Sequence, residues 1–399
     1  MMMLPMVLAL IAGAEVQAHT SLDGLDVVVV PIAGAPCSVR LAVRAGADED
    51  PKGMGGLAHV VEHLTFGGAR GRTVMLSNHA TINAMTTAGG TVFSLETAAA
   101  YCEAELTSLL SMVTDGKLRR SWFGPEMEVI AREALYRSDT RAILDTALFG
   151  NTAAVVIGSQ TTREQIKHVD VVRFFQNYYV PENMALIAVG GIDAEAVRRA
   201  LATGFKLAPS LPSERSSRPA RPILTHGESK VIGLRAGLVT LVAPLPLEAV
   251  VLCRSMAALL RLRLEQRLAP GTTAIVSDCR TMEGNLLLAV ILSTERDDQE
   301  RVRNLAIKEW NGFRAPSAVE RALLTRRFAN QSISRSASPH ELAEDLAASA
   351  LWLRGEVLFK LAPAWLATGP AADADLKAAA LFTSAVRSSV FLGDQFVQR

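Results

Sequence analysis

The sequence predicts an α+β protein of two similar domains, each a mainly antiparallel sheet flanked by helices. Three observations carry this prediction. Short β-branched or alternating runs are interleaved with apolar segments of helical period along all 399 residues. A stretch at 208–227 is rich in proline, serine and arginine, with Pro209, Pro212, Pro219 and Pro222, and it divides the chain as a linker. The part beyond it repeats the coarse order of strand, helix, strand, strand and helices found before it. The expected organisation is a signal segment at 1–19, a first domain at 20–207, the linker at 208–227 and a second domain at 228–399.

Taken in order, 26–32 is a β-branched run and 37–45 alternates Val39, Leu41 and Val43 with Arg40 and Arg44, so both read as strands. A glycine-bounded helix follows near 57–66, then a short helix at 74–80. Strands at 81–86 and 91–97 form a hairpin turned at Ala88-Gly89-Gly90. Leu106, Leu109, Leu110 and Val113 give 98–117 the stripe of a core-packed helix. The next helix is expected to start at Gly124-Pro125, since proline suits a first helical turn. A helix at 162–179, a strand at 184–189 and a helix at 193–201 complete the first half. In the second half, strands are expected at 237–242, 273–279, 285–294 and 388–392, with helices at 247–268, through about 361, and at 372–381.

Composition narrows the function classes. With 49 % hydrophobic residues the chain can bury real cores, and a net charge of +1 excludes recognition of nucleic acid or another polyanion by bulk electrostatics. Residues 1–14 form an apolar run ending at a Val16-Gln17-Ala18 step that suits signal peptidase, so the expected location is periplasmic or secreted, with cytoplasmic the alternative. No later run is long and apolar enough for a membrane span. The four cysteines show no C-x-x-C spacing. Buried free thiols are the expectation for them, and Cys37 with Cys102 and Cys253 with Cys279 are the pairs open to an exported chain.

The chemistry concentrates in Gly55-Gly-Leu-Ala-His59-Val-Val-Glu62-His63-Leu-Thr-Phe-Gly67-Gly68. On a helix, His59 and His63 share one face and Glu62 projects beside them. This is H-x-x-E-H, the inverted zincin motif, in which two imidazoles bind Zn²⁺ and the glutamate is the base. The alternative is two buried helix histidines beside a chance carboxylate, which seven histidines in the whole chain make a rare accident. A third protein ligand is needed, with one position left open. Glu133, among Val129, Ile130, Ala134 and Leu135, is the inward candidate, and Glu126 lies two turns before it on the same face. Solvated helix glutamates are the alternative for both.

These residues together resemble the pitrilysin/insulinase family of zinc peptidases, the group that includes mitochondrial processing peptidase. The match rests on the motif at 55–63 with Phe66 and Gly67, on Asn83-Ala84-Met-Thr86 and Thr91, on Glu126 through Glu133, and on Tyr178-Tyr179, Pro181-Glu-Asn183 and Gly190-Gly191. The resemblance implies a short two-domain zinc metalloendopeptidase with a processing-peptidase-like fold and one Zn²⁺ per chain. In it His59, His63 and Glu133 are the ligands, Glu62 the general base and Glu126 the supporting carboxylate. It also implies that Asn83 and Ala84 lie on an exposed edge where a peptide adds as a strand. Active members carry an arginine on a long helix of the second half and a tyrosine shortly after a glycine turn. Here Arg261 and Arg267 are available as substrate contacts, whereas Ala274 stands about where the tyrosine is expected. The implied partner is therefore a homologous subunit that completes the substrate clamp in a heterodimer. The alternative is a non-catalytic structural subunit of such a pair.

Overall fold

A computed structural model describes residues 16–20, 23–66, 80–136, 156–207, 229–232, 237–245, 249–268, 273–282, 285–294, 299–337, 339–366 and 388–393. The chain forms two compact units. The first joins Met1–Ser138, Ala154–Pro219 and Ser332–Leu366, and the second joins Asp139–Ala153, Ala220–Gln331 and Ala367–Arg399. The helices expected at 74–80 and 372–381 and the linker at 208–227 lie outside the described residues.

The first unit is built on a six-stranded sheet of β1 (Gln17–Thr20), β2 (Asp26–Pro31), β3 (Cys37–Val43), β4 (Thr81–Thr86), β5 (Thr91–Thr97) and β6 (Met184–Gly190). Its order is β1-β2-β6-β3-β5-β4, antiparallel except for the β2/β6 pair. At the edge of this sheet, Gln17 and Ala18 of β1 pair with Val29 and Val28 of β2.

One face of this sheet, with Val39, Leu41, Val43, Phe93, Leu95 and Leu186, packs into a core shared with helices α1 (Leu57–Thr65) and α2 (Cys102–Thr114). Next come α3 (Arg120–Tyr136), α4 (Gln160–Gln165), α5 (His168–Tyr178) and α6 (Ala194–Gly204). Two helix expectations change. α3 starts four residues before Gly124 and carries Pro125 inside it. The single helix expected over 162–179 is broken at Ile166 and Lys167, where Asp170 accepts the Lys167 amide and restarts the chain as α5.

The opposite face of this sheet is covered by residues from much further along the chain. Residues 332–366 belong to the first unit, where α10 (His340–Ala350) lies on β3 and β6 and is followed by α11 (Gly355–Leu366). Arg40 and Arg44, which alternation alone would turn to solvent, are 0 % and 1 % exposed beneath it. Arg44 donates to Asp26 Oδ2 at 2.6 Å, to the Ala350 carbonyl at 2.7 Å and to the Leu353 and Met184 carbonyls at 3.0 Å. Arg40 pairs with Glu344 at 2.8 Å and Glu96 at 2.7 Å. Guanidinium groups survive burial only when nearly every donor is used, and here α10 and the turn after it add Glu344 and the Ala350 and Leu353 carbonyls to the acceptors of the sheet itself.

The second unit contains β7 (Ser229–Ile232), β8 (Gly237–Leu245), α7 (Val250–Arg267), β9 (Thr273–Met282), β10 (Asn285–Thr294), α8 (Gln299–Asn311), most of α9 (Ala318–Ala337) and β11 (Ser388–Gly393). Its sheet runs β7-β11-β8-β10-β9, and α7 packs on β9 and β10. Neither β1 nor β7 is visible as a strand in the sequence pattern, because each is four residues long. The expectation of free thiols is overturned. Cys37 with Cys102 and Cys253 with Cys279 are disulfide-bonded, at Cα separations of 5.9 and 6.0 Å, within the span a disulfide bridges.

Candidate metal centre

The site begins with the way α1 starts. Gly56 precedes the helix with φ of 101°, and a Cβ there would stand 2.8 Å from the Ile157 carbonyl oxygen, so only glycine fits. A glycine cannot cap with a side chain. Asp50, from the loop before it, takes that role: its carboxylate accepts the Gly56 amide at 2.6 Å and the Ala58 amide at 2.8 Å. Burial outweighs these bonds and pushes the Asp50 carboxyl up to about 6. Every residue of α1 is buried, polar ones included.

His59 and His63 meet edge to face on this helix, ring centroids 4.7 Å apart and planes at 86°. Their Nε2 atoms stand 3.6 and 3.5 Å from one oxygen, Oε2 of Glu133 on α3. Donors about 2.0–2.1 Å from a tetrahedral Zn²⁺ stand about 3.3–3.4 Å from one another, so this two-nitrogen, one-carboxylate set fits the ion. His63 Nδ1 is 2.9 Å from Glu126 Oε2, which fixes the ring and leaves Nε2 as the atom offered to a metal. Glu126 and Glu133 thus occupy the relation their two-turn spacing predicts.

The charge around the histidines is negative. Burial alone would depress His63, but its hydrogen bonds to Glu126 and Glu133 and the nearby Glu62 charge raise it to about 9. The surroundings thus favour a cation at this spot. The ligand atoms of His59, Glu62 and His63 lie within 4.8 Å of one another. Glu133 is 38 % exposed at its side chain while both histidines are buried, so the cluster has one open side. Burial drives the Glu62 carboxyl above its usual range, in the direction that suits a group that takes and returns a proton.

Two participants escaped the sequence reading. Asp50 gave no signal beyond its place in an acidic loop. Thr86, the last residue of β4, donates its hydroxyl to Glu62 Oε2 at 2.6 Å; its position in the Asn83-Ala84-Met-Thr86 match was visible, its bond was not.

Asn83 and Ala84 lie on β4, an edge strand of the first sheet, paired on one side with Ser94 and Phe93. Asn83 is exposed and Ala84 half-buried against the core. Arg261 and Arg267 belong to α7 in the second unit. Arg261 pairs with Glu265 at 2.7 Å and Arg267 with the buried Glu309 at 2.5 Å. Between them, Arg263 binds Glu320 at 2.7 Å and holds that carboxyl down to about 2. Ala274 sits in β9 opposite Ser293.

Residues 28–154 match the family model described as Insulinase (Peptidase family M16). The chain is 26 % identical over 216 residues to the zinc protease PqqE of Helicobacter pylori, a match covering 48 % of this chain and 49 % of that protein. The chain thus spans about half the length of that curated relative. In fold it is similar to a protease from Helicobacter pylori, with a TM-score of 0.69 and 19 % identity over 95 % of this chain and all of that one. It is also similar to a peptidase M16 inactive domain from Pseudomonas fluorescens, with a TM-score of 0.65 and 16 % identity over 96 % of this chain and all of that one. The segment matched to that family model is the one that carries the histidine helix and its glutamates, so the likeness rests on the residues that form the site.

Proposed function

We propose that the chain is a zinc metalloendopeptidase that hydrolyses peptides or unfolded segments. The observation that carries this reading is the convergence of His59 Nε2, His63 Nε2 and Glu133 Oε2 at 3.5–3.6 Å, with Glu126 behind His63. His59, His63 and Glu133 would hold one Zn²⁺. Bound there, the ion would polarise a scissile carbonyl and lower the pKa of a water toward about 7. Glu62 takes a proton from the attacking water and delivers it to the departing amine nitrogen. Glu126 keeps the His63 ring in register throughout. No acyl-enzyme is required.

Substrate binding follows from the edge position of β4. A peptide laid beside Asn83 and Ala84 gains main-chain hydrogen bonds whatever its sequence, which suits an enzyme acting on unstructured chains. Arg261 is the better placed of the two arginines to add a contact, because its pair with Glu265 is exposed and is given up for well under about 1 kcal/mol. Arg267 would leave a buried glutamate behind. With alanine at 274, the clamp is short of the tyrosine that the family resemblance leads one to expect, and this supports a heterodimer with a homologous subunit that provides it. The same alanine favours a second reading, a non-catalytic subunit that uses the fold for assembly. The disulfides Cys37–Cys102 and Cys253–Cys279 suit an oxidising compartment and support a periplasmic or secreted location.

Zinc content and cleavage of a quenched peptide library, measured for the chain alone and co-expressed with a homologous partner, test this. The expected result is one zinc per chain and cleavage by the pair. Glu62→Gln is expected to keep the zinc and lower turnover at least about 100-fold. A chain without zinc is the scaffold of the second reading, and full activity in Glu62→Gln would remove Glu62 from its role.

A further inference from the structure

We propose that Thr86 is a positioning residue that determines which oxygen of Glu62 carries the transferred proton; this rests on the reading of Glu62 as the base. Thr86 and Glu62 are 4 % and 8 % exposed, so neither exchanges its partner for bulk water. A threonine hydroxyl has one proton to give, and at 2.6 Å it is committed to Glu62 Oε2. With part of the acceptor capacity of Oε2 taken up by this bond, Oε1 is the oxygen presented to the proton removed from water. Breaking the water O–H bond forms Oε1–H, and breaking Oε1–H forms the N–H of the leaving amine. The Thr86 proton stays where it is through both transfers.

The hydroxyl is held from several sides. Thr86 Oγ1 lies 3.1 Å from Thr91 Oγ1 across the hairpin, and Thr91 donates to the Ala45 carbonyl at 3.2 Å. The turn that follows is closed by the Thr87 amide on the Gly90 carbonyl at 2.8 Å. It rests on the loop before α1, through Ala47 N to Thr87 O at 3.1 Å and Asp48 N to Ala88 O at 3.0 Å. On its other side it meets Leu351 and Trp352. A Cβ on Gly89 would fall 2.5 Å from the Trp352 ring and one on Gly90 2.4 Å from Leu351, a fit that only glycine permits. The donor thus reaches Glu62 from a braced strand end. A carboxylate deprived of it would keep only the backbone amide of Thr86 as a donor from this strand and would turn more freely.

The test compares Thr86→Val, which keeps the shape and loses the hydroxyl, with Thr86→Ser, which keeps the hydroxyl, in the full zinc-loaded chain with any partner it needs. Zinc content, Kd for an uncleavable peptide, kcat and KM on a quenched peptide, and the Glu62 conformation in crystals of each variant are measured. The expected result is that Thr86→Val keeps zinc, Kd and KM while kcat falls about 10- to 100-fold and Glu62 adopts more than one conformation. Thr86→Ser is expected to return to within about threefold of wild type. Wild-type kcat in Thr86→Val overturns the proposal alone, as does a loss of zinc with kcat per bound zinc unchanged. A wild-type chain that binds zinc yet cleaves no peptide, with its partner present, overturns the reading of Glu62 as base, and the proposal goes with it.

Discussion

The two sheets share one plan and differ in what they bury. In the first, strands run β2-β6-β3-β5-β4; in the second, β7-β11-β8-β10-β9, with the corresponding first pair parallel and the rest antiparallel. In each, a helix bridges the third and fifth strands in that spatial order: α1 leads from β3 to β4, and α7 from β8 to β9. On α1 the buried ionisable positions are His59, Glu62 and His63, an excess of negative charge once Glu126 and Glu133 of α3 are added. On α7 the buried charge is Arg263, matched by Glu320, and the exposed Arg267 pairs with the buried Glu309. One helix is left wanting a cation and the other is neutralised internally. Repeating a fold therefore does not repeat a function; the side chains on one bridging helix decide it.

Three substitutions test that contrast. The largest effect is expected from Arg44→Met, which leaves Asp26 buried without its partner and strips the acceptors on α10 of their donor. Unfolding in urea should show about 3–5 kcal/mol lost. A loss under about 1 kcal/mol would mean that residues 332–366 do not seal the first sheet. Next is Asp50→Asn, which addresses the start of α1, a feature α7 lacks. Asp50 titrates near 6 in the folded chain against 3.8 for an ordinary aspartate, so folding takes up a proton between those values. Its contribution is therefore full below about pH 4 and fades as pH rises through 6. Stability curves of wild type and Asp50→Asn, taken at pH 4 to 7, should converge by about 1–3 kcal/mol over that window; parallel curves would contradict the buried cap. The smallest effect belongs to Arg261→Ala. If α7 supplies grip and α1 chemistry, KM rises by up to about tenfold with kcat and stability nearly unchanged.

What the sequence disclosed depended on how local the physics was. The His59, Glu62 and His63 constellation and the Glu126–Glu133 relation are helical spacings, readable along one helix at a time. The alternation of β3 gave its inner face correctly. The same alternation hid the fate of Arg40 and Arg44, because a solvated face and a face covered three hundred residues later read alike. Thr86 and Asp50 were hidden for a related reason. A hydroxyl or carboxylate declares its partner only when a turn brings the two together, here across 24 residues in one case and 6 to 8 in the other. Cysteine pairing likewise depends on Cα separation, which linear spacing does not contain.

Leu351 and Trp352 lie late in the chain, and the hairpin that aims Thr86 leans on them. During synthesis from the N-terminus, α6 ends at Gly204 and α11 at Leu366, roughly 160 residues apart, or about 8–30 s at about 5–20 residues per second. For that interval the first sheet has one bare face with two arginines on it, and the hairpin has one support in place of two. Site assembly is thereby deferred until residues 351–366 have been made, so a growing chain carries the histidine helix well before it carries a completed catalytic geometry.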